Sequence, residues 1–304
     1  MDESCQLDIP FESTEANPSA AVTQTLDRLR QRREDAAIAA GLPVSSSGKP
    51  LPNDVLRSAL FAVSQKVFRR ETKVASIDGV EVFISRGYRP TQAHLDVWEH
   101  CLALAARQGT GKRIHFSAYA FLKAINRSAN GGSDRKWLND ALLDLAGCLI
   151  RVTNGTNTYF GPLIEGGTKD EVTEEYFIEI NPRLAVLFTG NRWTTVDAVE
   201  RKALRRHPLA QWLHAFYSTH GTPYRYKVET IKNLCGSDTE ELKKFRQMLR
   251  RAIAELSEVT GWSCGIDEND CLVVSKSRQI PRQNATGIAG TVQKADISTE
   301  GQSR

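Results

Sequence analysis

The segment of residues 242–256 constrains the fold more than any other part of the chain, because its large apolar residues recur at helical spacing. They are Leu242, Phe245, Leu249, Ala252, Ile253 and Leu256. A helix turns by about 100° per residue, so these side chains form one stripe that must be buried in a core. The residues left toward solvent are mostly basic, namely Lys243, Lys244, Gln247, Arg250 and Arg251, with Arg246 at the border. The segment therefore predicts a helix with one buried face and one basic face.

The elements predicted around this helix are those of a helix-turn-helix followed by a hairpin. Residues 229–235 predict a short helix that ends at Gly236. A capping box at residues 237–240 is then predicted to start the basic helix. Residues 261–265 and 271–275 follow as two strands around an Asp-rich turn, which is the position of a wing. An apolar stripe that starts at Pro208 predicts a core helix upstream.

Charge and residue type in this part of the chain favour a nucleic acid as partner. Residues 200–258 hold twelve Lys and Arg against seven Asp and Glu, although the formal charge of the whole chain is only +4. Lys and Arg neutralise phosphates, Arg pairs with guanine and Gln pairs with adenine. A helix that follows a short turn is the element that enters a major groove. We therefore expect the basic helix to bind double-stranded DNA, with a solvated charged face as the alternative.

An earlier part of the chain predicts a similar order of elements. Its predicted strands and helices are residues 80–85, 92–107, 119–126, 133–147, 149–153, 158–160 and 176–180. Residues 130–132 form the turn between the two later helices, and Ser133 is predicted to cap the second of them. The Asn-Gly pair at residues 154–155 predicts a hairpin turn.

The later helix of this earlier set is a weaker candidate for contacting DNA. It offers Arg135, Lys136 and Asn139 as nucleic-acid contacts, but Asp140 and Asp144 lie beside them. Its charge is therefore nearly balanced, whereas phosphate binding needs net positive charge. The pattern leaves two roles open, an accessory DNA contact and a structural or self-association role.

The chain divides into four parts by composition and pattern. Residues 1–50 predict a flexible N-terminal extension, with a charged helix over 19–40 and a linker rich in Gly, Ser and Pro. Residues 281–304 predict a disordered tail. Residues 51–190 and 191–280 predict two domains between these ends. The predicted fold class is α+β, with two tandem winged-helix domains that each combine a helix-turn-helix with a β-hairpin wing.

The sequence predicts no catalytic residue, no metal site and no cofactor. The cysteines form no C-x-x-C pair, and the histidines form neither H-E-x-x-H nor the His-hydrophobic-His pair of rolling-circle nicking enzymes. The stretch GTGKR resembles a phosphate loop, but Arg113 stands where a Ser or Thr should hold magnesium. No stretch approaches the roughly 20 apolar residues of a membrane span, and the first residues lack the basic start of a signal peptide. We therefore expect a cytoplasmic protein that is not an enzyme and does not enter a membrane.

Three stretches resemble the TrfA family of plasmid replication initiators from broad-host-range plasmids. They are LPNDVLRSALF at residues 51–61, VLFTGNRWT at residues 186–194, and a long run from residue 209 that contains WLHAFYSTH, PYRYKVETIKNLCGSD and the basic helix. The resemblance covers residues 51–275 and is strongest in the second predicted domain.

The resemblance implies a function that composition and periodicity do not show. It implies two winged-helix domains that bind repeated origin sequences (iterons), open a nearby A+T-rich region, and recruit the host initiator and the replicative helicase. It also implies a monomer that binds iterons and a less active dimer, with the first winged helix in the dimer interface. The second domain would be the main DNA-recognition domain.

The polar N-terminal stretch contains a short apolar motif. Gln6, Leu7, Ile9 and Phe11 resemble the peptide by which bacterial proteins bind the sliding clamp. A short extended peptide can bury such side chains in a partner's groove. Chance occurrence, or burial against the protein's own domain, is the alternative.

Two other functions remain open beside replication initiation. A winged-helix transcription repressor would use the same groove chemistry, although the duplicated domain argues against it. A nicking or priming enzyme is the third hypothesis, and the absent His pair and metal spacing argue against it.

Overall fold

The computed structural model of the protein describes residues 18–45, 48–108, 113–155 and 157–276, which fold into helices and short antiparallel sheets. The helices are α1 (Pro18–Ala40), α2 (Asn53–Leu56), α3 (Gln92–Gln108), α4 (Ala118–Ala124), α5 (Gly132–Gly147), α6 (Ala198–Ala203), α7 (Pro208–Ser218), α8 (Val228–Leu234) and α9 (Leu242–Thr260), with a 3₁₀ segment at Pro182–Asn191. The strands are β1 (Gly48–Pro52), β2 (Val67–Phe68), β3 (Thr72–Val74), β4 (Glu81–Tyr88), β5 (Arg113–Ser117), β6 (Leu149–Thr153), β7 (Thr158–Pro162), β8 (Gly166–Lys169), β9 (Glu175–Glu179), β10 (Trp193–Asp197), β11 (Tyr226–Lys227), β12 (Ser263–Ile266) and β13 (Cys271–Ser275). The predicted α+β class is confirmed. Every helix in these ranges is too short or too polar to cross a membrane.

The first core is formed by α3, α4 and α5 with three antiparallel sheets. One sheet has the strand order β2-β4-β6-β7, and β3 also pairs with β4. A second sheet has the order β5-β9-β8, and the third consists of β1 and β10. Trp98 of α3 is fully buried, stacks on Phe61 at 5.4 Å between ring centres, and donates a hydrogen bond to the Leu163 carbonyl at 2.9 Å. We call residues 48–197, which are built around this core, the first unit.

The second core is formed by α7, α8 and α9 with the sheet β11-β13-β12. We call residues 198–276 the second unit. The apolar stripe predicted from Pro208 is confirmed in α7, where Leu209, Trp212, Leu213, Phe216 and Tyr217 are all buried. This helix is buried on every side because it packs against α9 within its own unit and against α2 and α3 of the first unit. The two units therefore share a packed boundary.

The predicted linker is wrong at its end. Residues 48–50 form the start of β1, in which Gly48 lies opposite Asp197 of β10. A Cβ at Gly48 would lie 2.4 Å from the Val196 carbonyl oxygen, so this close pairing requires glycine. Proline and glycine are rare in strands, so a stretch that contains both is predicted as a linker even though it forms a strand here. The predictions for residues 1–17 and 277–304 lie outside the described residues.

Two predicted helix starts are also wrong. Helix α9 begins at Leu242 without a side-chain cap, and the hydroxyl of Ser237 accepts a hydrogen bond from the Thr239 amide inside the preceding turn. Helix α5 begins at Gly132, so the predicted cap Ser133 lies inside it. Before α9, contacts of the turn with Arg89 and Val63 override the local capping pattern.

Candidate nucleic-acid interface

The second unit places a short helix, a turn, a long helix and a hairpin in succession. Phe245, Leu249 and Leu256 of α9 are fully buried, and α9 packs on α7 and α8, so the predicted buried stripe is confirmed. The opposite face of α9 is exposed and carries the predicted set of Lys243, Lys244, Gln247, Arg250 and Arg251. Within the described part of the chain, none of these four cations forms an ion pair. Their charges are therefore available to an external anion.

Arg246, the remaining predicted residue on α9, has a partner inside the protein. Its guanidinium is half-buried and donates two hydrogen bonds to the carboxylate of Asp270, at 2.7 and 2.8 Å. These hydrogen bonds hold the pKa of Asp270 below its usual value. Because Asp270 lies in the turn between β12 and β13, Arg246 fixes the hairpin beside the basic face.

The hairpin follows α9 directly. Gly261 ends the helix with a φ of 70°, a left-handed conformation that suits glycine and turns the chain into β12. At the tip, the Asp267 carboxylate accepts hydrogen bonds from the amides of Asn269 and Cys271, each at 2.9 Å. Asp267 and Asp270 are each paired with an arginine, Arg225 and Arg246, while Glu268 is exposed. Among the described residues of this unit, the exposed face of α9 therefore offers the densest group of cations that form no ion pair.

The predicted contacts of the first unit are largely engaged within the protein. Arg135 on α5 pairs with Glu174 at 2.5 Å, and Lys136 pairs with Asp140 one helical turn away at 2.7 Å. Asn139 is half-buried. The charges of Arg135 and Lys136 are therefore compensated, whereas the four cations on the exposed face of α9 form no ion pair with a described residue.

The turn before α9 is docked onto the first unit. Arg89, at the end of β4, is buried and donates hydrogen bonds to the carbonyl oxygens of Ser64, at 2.8 Å, and Gly236, at 2.7 Å. The same guanidinium approaches the carboxylate of Asp238 at 3.4 Å, and the Val63 amide binds the Cys235 carbonyl at 2.9 Å. The position of α9 is thereby set by the first unit. Sequence reasoning missed Arg89, because no local pattern marks a buried arginine.

Gly236 makes this docking possible. Its φ is 63°, and a Cβ built there would lie 2.6 Å from the Cβ of Ala62 and 3.1 Å from Nη1 of Arg89. Only glycine allows the turn to approach the first unit this closely. The sequence indicated Gly236 as a helix stop, and its tertiary contact is the additional finding.

The predicted clamp-binding residues Gln6, Leu7, Ile9 and Phe11 lie outside the described residues. No group of three metal-binding side chains lies together in the described ranges.

The fold and the site together define a two-unit α+β protein. Between a docked turn and a hairpin, its second unit exposes a helix face whose four cations form no ion pair with a described residue. A sequence model of a protein family, described as "TrfA protein", matches residues 8–277. The chain therefore belongs to the TrfA protein family.

A curated relative and a solved structure are similar to this chain. The plasmid replication initiator protein TrfA of Escherichia coli is 26% identical over 264 residues, which cover 82% of this chain and 66% of that relative's length. The crystal structure of domains 2 and 3 of RctB matches with a TM-score of 0.51 at 12% identity, covering 74% of this chain and 96% of the RctB chain. At that identity the second likeness concerns the fold alone.

Proposed function

We propose that the protein is a replication initiator of a bacterial plasmid, which binds repeated sequences in double-stranded origin DNA and acts without catalysis in the cytoplasm. The observation that carries the proposal is the exposed face of α9, where four cations form no ion pair with any residue that the structure describes. Membership of the TrfA family supports the assignment to plasmid replication. The name of the E. coli relative, a plasmid replication initiator, supports it as well.

We propose further that both units are winged-helix domains. In the second unit α7, α8 and α9 precede the hairpin β12–β13, and in the first unit α3, α4 and α5 precede the hairpin β6–β7. Helix α9 would enter the major groove, where its Arg and Lys side chains contact phosphates and guanine and Gln247 contacts adenine. Arg246 would act by holding the hairpin beside the groove. Helix α5, whose charges are compensated, would make accessory contacts.

Single substitutions on the basic face are expected to weaken DNA binding without unfolding the chain. Lys243→Ala should lower the slope of log affinity against log salt by about 0.9 if Lys243 contacts one phosphate. Arg250→Ala should cost about 1 to 3 kcal/mol of binding free energy and relax the sequence preference at one position if Arg250 contacts a base. Fluorescence anisotropy with origin duplexes at several salt concentrations measures both effects.

The matched control is Arg107→Ala. Arg107 is exposed at the end of α3 and belongs to the first unit. Its removal changes the net charge of the chain by the same amount without touching α9. Wild-type affinity and slope in both α9 variants would contradict the assignment, as would an equal loss in the control.

Self-association through the first unit is also part of the proposal. The support is its exposed apolar side chains, since Phe160 on β7 is 76% exposed and Leu143 on α5 is 63% exposed. We expect Phe160→Glu to lower the dimer fraction, because a charge would be buried in the contact. Sedimentation velocity over a range of concentrations measures it. Val199→Glu, on an equally exposed valine of the second unit, should leave the dimer fraction unchanged, and the opposite pattern would contradict the assignment.

We also propose that the protein opens an A+T-rich origin region and recruits the host initiator and replicative helicase. Family membership supports these roles. Residues 6–11 would bind the host sliding clamp as a short peptide, with a dissociation constant in the micromolar range, about −8 kcal/mol. Titrating a labelled peptide of residues 1–16 with the clamp tests this role, and equal binding by a Gln6→Ala, Phe11→Ala peptide would contradict it.

A further inference from the structure

A cleft of about 300 Å³ lies where the two units meet, between the turn that joins α4 to α5 and the turn that joins α6 to α7. Arg127 lines it from the first turn, and Arg205 and Arg206 line it from the second. The two turns are in direct contact, because the Arg205 guanidinium donates a hydrogen bond to the carbonyl of Asn126. Both units thus contribute guanidinium groups to one cleft.

Three guanidinium groups and two carboxylates line this cleft. The guanidinium of Arg127 stacks on Trp137, 3.4 Å from the ring centre, which fixes its direction. Burial, and then the nearby charge of Arg205, lower the pKa of Arg127. Two carboxylates, Asp96 and Asp134, also line the cleft, but Asp96 is bound by Arg201 at 2.7 Å. The facing guanidinium groups are therefore only partly compensated.

Arg206 links this cleft to the basic face of α9. It is exposed and forms no ion pair within the described ranges. It also lines a second cleft, of about 340 Å³, whose opposite wall includes Arg251 of α9. Arg206 is therefore common to the cleft that holds Arg127 and Arg205 and to the cleft that holds Arg251. We call these four arginines the junction row.

We propose that the junction row binds backbone phosphates of the DNA duplex that α9 contacts, where that duplex passes from the second unit to the first. The inference rests on the proposed function, because it places the row beside DNA held by α9. Guanidinium groups suit phosphate, since they offer paired N–H donors in a fixed plane. Contacts to phosphates position a duplex without distinguishing its bases. The row would thus set the register of the DNA across both units and add affinity without adding sequence preference.

The salt dependence of DNA binding tests this inference on the whole chain. The variants are Arg206→Gln alone and Arg205→Gln combined with Arg206→Gln, and the probes are an origin duplex from the plasmid that carries the gene and a random-sequence duplex of equal length. The slope of log affinity against log salt should fall by about 0.9 in the single variant and about 1.8 in the double variant. When the salt concentration is raised from 50 to 200 mM, the affinity of a variant that lacks one contact should fall about threefold less than the affinity of the wild type. The preference for origin over random duplex should stay at its wild-type value.

Arg107→Gln is the matched control, because Arg107 lies about 16 Å along α3 from Asp96 and the cleft. Arg206 has no partner to lose among the described residues, so Arg206→Gln should keep the wild-type circular dichroism spectrum and thermal midpoint. Unchanged slopes in both variants, or an equal change in the control, would overturn the junction row and leave DNA binding by α9 standing. Failure of the wild-type chain to bind either duplex would overturn the proposed function and the row together.

Discussion

Truncation of Phe245 to alanine is expected to lower the free energy of unfolding by about 3 to 5 kcal/mol. Phe245 is fully buried in the second core, beneath the basic face of α9 and against the helices that orient it. Its removal deletes a large apolar contact area and leaves a cavity that the packed helices can fill only in part. Chemical denaturation followed by circular dichroism measures the change. Because domains of this size are stabilised by about 5 to 15 kcal/mol, this loss removes a large part of the stability of the second unit.

Glu258→Ala is the control on the same helix. Glu258 is exposed and forms no ion pair in the described part of the chain, so its truncation should change the stability by less than about 0.5 kcal/mol. If the Phe245 and Glu258 variants had similar free energies of unfolding, the face of α9 that contains Phe245 would not be part of the second core. The assignment of its opposite face to solvent and DNA would then be contradicted.

Arg89→Ala is expected to lower the free energy of unfolding by about 3 kcal/mol or more, because the buried carbonyl of Gly236 and the half-buried carbonyl of Ser64 lose this donor. The lost hydrogen bonds are those to Ser64 and Gly236, and the lost ion pair is that with Asp238. Arg89→Lys should restore only part of the stability, since lysine keeps the charge but lacks the second donor, Nε, which also binds the Ser64 carbonyl at 3.1 Å. Denaturation measures both variants.

The same substitution should also weaken DNA binding. Arg89 contacts no part of the exposed face of α9, but it ties the turn before α9 to the first unit. We therefore expect lower affinity for origin DNA with an unchanged salt slope, because no phosphate contact is lost. Arg86→Ala, an exposed arginine on the same strand, is the control and should leave stability and affinity unchanged. Equal effects at both positions would show that the docking through Arg89 does not position α9.

The elements that the sequence predicted well are those whose signal is local and periodic. Helix α9 and its two faces followed from the spacing of Phe245, Leu249 and their neighbours, because a stripe at helical spacing has few other solutions. The stripe of α7 followed in the same way. By contrast, β1 contains two prolines and pairs with β10, which begins more than 140 residues later, so its own composition could not reveal it.

The sequence predicted which residues lie on the basic face of α9, but it did not predict the residues within the protein that bind Arg246 and the turn before α9. The spacing placed Arg246 at the border of the basic face, yet its partner Asp270 lies 24 residues away and no local pattern connects the two. Arg89 and Gly236 are separated by 147 residues and meet only through packing of the units. The pair Arg205 and Arg206 stands in a basic run directly before Pro208, and that run was the one signal that could have pointed to the junction row.

Nuclease footprinting of the whole chain on the plasmid's own origin tests the central proposal most directly. An initiator that binds iterons through α9 should protect several tandem direct repeats, spaced by one or two helical turns, and Arg250→Ala should weaken protection of every repeat. Protection of a single palindrome over a promoter would instead indicate a transcription repressor. Such a footprint, or equal protection by the wild type and the Arg250→Ala variant, would contradict the proposed function.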